Sequence, residues 1–416
     1  MTRTVLVGEV RTGRRIATIP VSNAAWNVAH RGTGSIDVDI PLNAAEFRRL
    51  ERVVSGQYPS ESLFPGPTTF PTTETAVWRT GQGMRPEFLT AIEPARTFMA
   101  VLEGDNVLAA GPIWVHDYDD TTGSLKVKAA SSIASIFDHR IVMDVITGTA
   151  WAAWAVTYTG LSLGTIAKRL VQLLMSHTGG NLPIVLPDDE TAATDADHTR
   201  TYKGFELATV TARINELMGV INGPDVRFDP RLTADRMGIE SVMMVGTEAQ
   251  PLLFQAGDDH VWDFRVPRGG VSGLSVHRDA GGLASRSWVT GSGMDTALLM
   301  SRADDTTLTD GGFPLLEITE SRSTVDVQST LDNWASGNLA NAGAPWMTWS
   351  ATVRGDKSPL LGSYRTGDFA KVWVPASHPY LSLLLPAGYH RARIVNIAGD
   401  MGPNVNLTFA PVLESR

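Results

Sequence analysis

The chain has 416 residues, 43% hydrophobic and 19% charged, with 39 glycines, 23 prolines and a net charge of −9. That length supports more than one folded core, and the balance is that of a folded, turn-rich protein. The acidic excess argues against grip on duplex DNA, which depends on neutralising phosphates. It does not argue against a channel through which DNA slides. With no cysteine in the chain, disulfides, thiolate metal sites, iron–sulfur clusters and cysteine nucleophiles are excluded. The apolar run before Glu9 is too short for a signal peptide, and no run reaches membrane-spanning length, so a cytoplasmic product with no membrane span is expected.

Residues 4–10 and 15–21 read as two strands joined by the turn Arg11-Thr-Gly-Arg14. Trp26 and the turn Arg31-Gly-Thr-Gly34 follow. In the next strand, 35–40, Ile36, Val38 and Ile40 share one face and Asp37 and Asp39 the other. Pro41 and Asn43 open a helix, with Asn43 and Glu46 as a capping pair and Phe47, Leu50 and Val54 on one side. Residues 58–74, punctuated by Pro59, Pro65, Pro67 and Pro71, are too long for a tight connection and read as an excursion onto a partner or a mobile loop. Strands resume at 75–79, 96–102, 107–115 and 124–129, the last with Leu125 and Val127 on one face and Lys126 and Lys128 on the other. A helix over 131–143 ends what reads as one β-barrel.

The pattern then changes. Ile166, Leu170, Leu173 and Leu174 predict a helix over 162–175. Leu207, Val210, Ile214, Leu217 and Met218 predict another over 205–220, stopped by Asn222-Gly-Pro224. Strands are expected over 225–229 and 239–245, and residues 145 to about 234, with an acidic loop at 187–198 between the two helices, read as an inserted α/β domain. Short strands over 261–266, 274–276 and 284–291 lead to a helix near 326–341. A strand over 346–353 follows, with Met347, Trp349, Ala351 and Val353 on one side. The turn Gly367-Asp368 opens a strand over 369–374, and residues 389–397 and 404–409 form a closing hairpin. The expected fold is mainly β with an α/β insertion: a first barrel at 1–145, the insertion at 146–235 and a second barrel at 236–416.

No motif singles out chemistry. His116-Asp117-x-Asp119-Asp120 and Asp258-Asp259-His260 carry metal-ligand residue types, yet read as polar turns. Asp188, Asp189, Glu190, Asp195 and Asp197 lack the spacing of a calcium loop. There is no Gly-x-Ser-x-Gly, no His-Glu-x-x-His and no phosphate-binding glycine loop, and spacing does not select Glu317 and Glu320 as a glycosidase pair. No catalytic residue, metal ligand or cofactor is assigned, and no enzyme is expected. Trp151 and Trp154, in Ala-rich sequence, read as core, as subunit-contact residues or as a carbohydrate-stacking surface.

The order of elements does carry a likeness. An apolar-acidic strand, a helix ending in small residues and a further strand precede Tyr364-x-x-Gly367-Asp368 and its strand, then Arg391-x-Arg-Ile-Val395 and a terminal strand. This succession, with the opening strand pair, Trp26, turn and alternating strand, resembles the hub, or minor tail, proteins of long-tailed phages, especially those infecting actinobacteria. It extends along most of the chain. The resemblance implies two tail-tube-like β-barrels per chain and a homotrimeric ring of near six-fold symmetry closing the distal end of the tail tube. The implied partners are the tail tube or distal tail protein above, tail-tip or fibre proteins below, and the tape measure protein and transiting DNA in the lumen of the virion. Asp37 and Asp39 are then the lumen-facing candidates, because an acidic lining repels phosphate; the other reading of the pair is ordinary solvent-facing strand residues. Trp151 and Trp154 are the subunit-contact candidates. The alternative reading is a tail component that binds host-surface carbohydrate. A cell-wall hydrolase domain, which some family members carry after the hub region, finds no room between the last strand and Arg416.

Overall fold

The computed structural model describes residues 3–19, 21–42, 86–144, 150–190, 198–220, 222–263, 270–322 and 325–412. The helix expected over 41–54, the loop 58–74 and the strand 75–79 lie outside the described residues but for 41 and 42.

Two hairpins open the chain. β1 (Arg3–Glu9) pairs antiparallel with β2 (Arg15–Ile19), and β3 (Asn23–Ala29) with β4 (Ser35–Pro41). β3 was not foreseen around Trp26; Ala24 and Trp26 are its buried alternates. After α1 (Pro86–Ala91) come β5 (Thr97–Glu103), β6 (Asn106–Asp119) and β7 (Ser124–Ala130), a meander. β6 runs past the expected turn at His116, because Asp117 and Tyr118 stay in register with Lys126 and Leu125 of β7.

The helix expected over 131–143 is a shorter 3-10 helix, Ile133–His139, capped by the Ser132 hydroxyl. Its end is set by pairing. Val142 N–H donates to the Ala208 carbonyl and Val210 N–H to the Arg140 carbonyl, both at distances (2.9 and 2.8 Å) that pull 140–142 into extended backbone.

The middle of the chain comprises β8 (Ala155–Thr159), α2 (Leu163–Ser176), β9 (Ile184–Val185), β10 (Thr199–Lys203), α3 (Val210–Met218), β11 (Val226–Leu232) and β12 (Ile239–Val245). α2 forms as its spacing predicts: Ile166, Ala167, Leu170, Val171 and Leu174 are buried on one face, and Ser162 caps the Thr165 N–H at 3.1 Å. α3 starts later than expected. Leu207 is left-handed at φ 44°, and Thr209 caps the Ala212 N–H, so Gly204–Glu206 forms a separate 3-10 turn.

Then come β13 (His260–Trp262), β14 (Val271–Asp279), β15 (Arg286–Thr290), β16 (Met300–Asp304), α4 (Thr307–Asp310), β17 (Glu317–Ser321), α5 (Gln328–Ala342), β18 (Trp346–Arg354), β19 (Phe369–Val374), β20 (Gly388–Gly399) and β21 (Asn404–Pro411). The protein is mainly β, as its alternating patterns foretell. β18, β19 and the β20–β21 hairpin fall where they are expected; β16 was not foreseen.

By internal packing the chain forms two compact units, Met1–Ser272 with Ala351–Val412, and Gly273–Ser350 with Leu413–Arg416. In the first, one sheet runs in the order β18–β21–β20–β3–β4–β7–β6–β5–β1–β2, with β13 and β19 attached through β19–β20. The β20–β3 pairing, Asn396 opposite Ala29 through Gly399 opposite Trp26, joins strands from the two ends of the sequence. Leu6, Phe98, Phe137, Ile166, Leu170 and Leu217 belong to one buried cluster, so the insertion shares a core with the N-terminal strands. In the second unit, β15 lies between antiparallel β16 and parallel β17. Leu331 and Ala335 of α5 pack on Val289.

α5 also offers a simple stability test. A Cβ built at Gly337 meets no atom within 4 Å. Gly337→Ala is therefore expected to stabilise this unit by about 0.5–1 kcal/mol through the backbone freedom that glycine loses in a helix. Denaturant titration checks it; an unchanged or lower midpoint would show that the site is constrained in some other way.

Candidate functional site

β4 alternates as its sequence requires. Ile36, Val38 and Ile40 are buried, while Asp37 and Asp39 are half-buried on the other face. Across the sheet, Asp37 lies opposite Lys128 and Asp39 opposite Lys126 of β7. Lys126 in turn faces Asp117 of β6, and the Lys128 ammonium is 2.7 Å from the Asp117 carboxylate. The Lys128 contact holds the Asp117 carboxyl below its ordinary range and raises the lysine. Ser35 Oγ donates to Asp37 at 3.0 Å. The two aspartates thus belong to a ladder of alternating sign and not to a purely acidic strip.

Trp151 and Trp154 separate. Trp154 is half-buried against the core, and its carbonyl accepts from Gly204 N–H at 2.8 Å. Trp151 is 55% exposed in the 3-10 turn Trp151–Ala153, so the core reading does not hold for it. Beside it stands the turn Gly204–Glu206, close enough that a Cβ at Gly204 would lie 2.3 Å from the Trp151 carbonyl. Phe205 and Leu207 of this segment are also more than half exposed. Neighbouring segments of the first unit thus expose three large apolar side chains, which the spacing of Trp151 and Trp154 could not have revealed.

Three of the other sequence-selected acids have protein partners. Asp189 takes Lys168 and Arg169, and Asp259 takes Arg391 and Gln255. Thr121 and Thr122 hold Asp119. Asp195 and Asp197 lie outside the described residues. Among the described residues, no group of three or more His, Cys, Asp or Glu is arranged to hold a metal ion, and no helix is long and apolar enough to cross a membrane.

The densest polar constellation was not anticipated. Asp225, fully buried between α3 and β11, collects groups from distant parts of the chain. Arg31 donates Nε and Nη2 to Oδ1 at 3.1 and 2.9 Å. Arg393 of β20 donates Nη2 to Oδ2, which also accepts the Leu253 N–H at 3.0 Å. His30 Nε2 stands 3.5 Å from Oδ1. The backbone is pinned as well: Asp225 N–H donates to the Pro251 carbonyl at 2.7 Å, and its carbonyl accepts Gly246 N–H at 2.9 Å. Burial by itself would raise the Asp225 pKa; His30, Arg393 and the Leu253 amide outweigh it and hold the carboxyl far below the carboxylate range. Burial, aided by Arg393, keeps the His30 pKa below its ordinary value against the pull of Asp225. This cluster ties the end of β3, the insertion and β20 together. Its sequence signals, a lone acid after Asn222-Gly-Pro224 and an arginine in an alternating strand, are those of ordinary turns and strands.

The chain has the fold of phage tail proteins: it matches the 43 kDa tail protein of prophage MuSo2 from Shewanella oneidensis at a TM-score of 0.52 and 10% identity, covering 98% of each chain. It matches a tail protein from Neisseria meningitidis MC58 at a TM-score of 0.51 and 13% identity, covering 99% of this chain and 96% of the other. No protein-family model matches the sequence, and no curated protein does.

Proposed function

We propose that the protein is a structural component of a phage tail: a homotrimeric hub that closes the distal end of the tail tube and joins it to the tip. The observation that carries this reading is the end-to-end correspondence of fold with the Shewanella prophage tail protein, at 98% coverage both ways. In this reading, 1–145 and 236–416 supply two tube-like modules per chain, with 146–235 inserted between them. Three chains then present six modules to a six-fold tube. The tube or distal tail protein docks above, tip or fibre proteins below, and the tape measure protein and DNA occupy the lumen.

Asp37 and Asp39 face that lumen. With Lys126 and Lys128 opposite them, the surface is close to neutral, so phosphates pass without being held or strongly repelled. Trp151 supplies a subunit contact together with Phe205 and Leu207, because exposed aromatics clustered on a surface mark interfaces.

Light scattering on the purified chain should give a mass of three copies, and negative-stain images should show a threefold ring with a central hole. A chain that stays monomeric at high concentration and fails to join tube protein would sink the proposal. The double variant Trp151→Ser/Phe205→Ser is expected to shift the assembly toward monomer by at least about tenfold in dissociation constant, as loss of an aromatic anchor typically does. An unchanged constant would move the contact elsewhere.

A further inference from the structure

Beside the Asp225 cluster lies a cavity of about 310 Å³, lined by residues of the first unit alone. Its floor is apolar, formed by Phe137, Ile214, Met218 and Phe228, with the Phe137 and Phe228 rings edge to face at 5.1 Å. Its wall carries Arg31, Arg227 and Arg365. We propose that this cavity binds a small amphipathic organic anion, an apolar ring or short chain bearing one sulfonate-, carboxylate- or phosphate-type group.

The charges around the cavity do not cancel. Arg227 takes both oxygens of Asp229, Nε at 2.7 Å and Nη2 at 2.9 Å. That leaves Arg365, with a side chain 42% exposed, a contact of 3.9 Å to the same carboxylate, beyond hydrogen-bond length. Arg31 and Arg393 share the single carboxylate of Asp225. The lining itself carries Arg31, Arg227 and Arg365 against Asp229 and the exposed Asp138, which leaves one positive charge in surplus. This occurs in a chain whose net charge is −9. A partly desolvated guanidinium next to an apolar floor selects an anion that also brings apolar surface, because the attraction strengthens as water is displaced. The volume sits at the low end of small-molecule pockets, about 300–1,000 Å³. Water alone would satisfy the arginines but not the aromatic floor.

The probe is naphthalene-1-sulfonate, titrated into the full chain by calorimetry, with sodium sulfate and neutral 2-naphthol as separate arms. The expected result is saturable binding, one probe per chain, with both single-feature ligands at least about tenfold weaker, the scale of one lost charge-assisted hydrogen bond or one lost ring burial. Arg365→Gln should weaken the sulfonate about tenfold on the same basis, and Ala134→Leu, which fills the cavity from its wall, should abolish binding. A crystal of the unsubstituted chain soaked in the sulfonate gives an independent readout: density between Arg365 and Phe228 supports the site. No saturable heat at millimolar probe overturns the proposal. So does binding indifferent to Arg365→Gln, or sulfate binding as tightly as the sulfonate, which would mean an adventitious ion only. Equal affinity for 2-naphthol would overturn the role of charge.

Discussion

Asp225→Asn is expected to destabilise the first unit by about 3–5 kcal/mol, because it leaves Arg393 and Arg31 facing a buried neutral amide. The double variant Asp225→Asn/Arg393→Gln should recover part of that loss, since the stranded charge is removed with its partner. A loss below about 1 kcal/mol, the scale of an exposed ion pair, would show that the cluster is solvated. The same cluster sets a pH dependence. Both Asp225 and His30 hold folded pKa values below their free ones. The unfolded chain therefore binds protons first, near pH ~6.5 at His30 and ~3.9 at Asp225. Stability is full above about pH 6.5 and falls as the pH drops. His30→Gln should abolish the part of that fall between about pH 7 and 5 and leave the acid part below about pH 4.5 intact. Urea titrations across this range measure it, and a variant with the wild-type profile would remove His30 from the account.

Gly246→Ala should be almost as damaging. A Cβ at Gly246 would lie 1.9 Å from the Pro251 carbonyl oxygen, and backbone atoms cannot step aside as a flexible side chain would. Gly246 and Pro251 are also the two residues whose backbone groups bond the backbone of Asp225. The expected cost is about 3 kcal/mol, the upper range for a forced overpacking. Because both changes loosen one clamp, Gly246→Ala and Asp225→Asn should combine to less than their sum. Full additivity would mean that the loop and the carboxylate act separately.

Much of the fold is legible in the sequence. β19, α2 and the β20–β21 hairpin follow from period and turn chemistry, since the side chains that define each element lie within it. Misjudged boundaries have tertiary causes. The helix after Ser131 stops at His139 because 140–142 pairs with 208–210. α3 begins at Val210 because Leu207 turns left-handed. At the proposed lumen face, alternation placed Asp37 and Asp39 on one side of β4. It could not say that Lys126 and Lys128 would stand opposite them, because cross-strand register joins residues some ninety positions apart.

Local pattern, then, determined the mainly β class, the helical insertion and which face of each strand is buried, because a period of two or 3.6 is written in neighbouring residues. It also determined that cysteine chemistry is absent. The tertiary structure alone decided that β20 joins β3, that the insertion shares a core with the first strands, and that Asp225 gathers His30, Arg31 and Arg393. Those facts depend on residues up to several hundred positions apart meeting at one point, and no window of sequence carries the energy of burying a carboxylate among arginines that it does not contain.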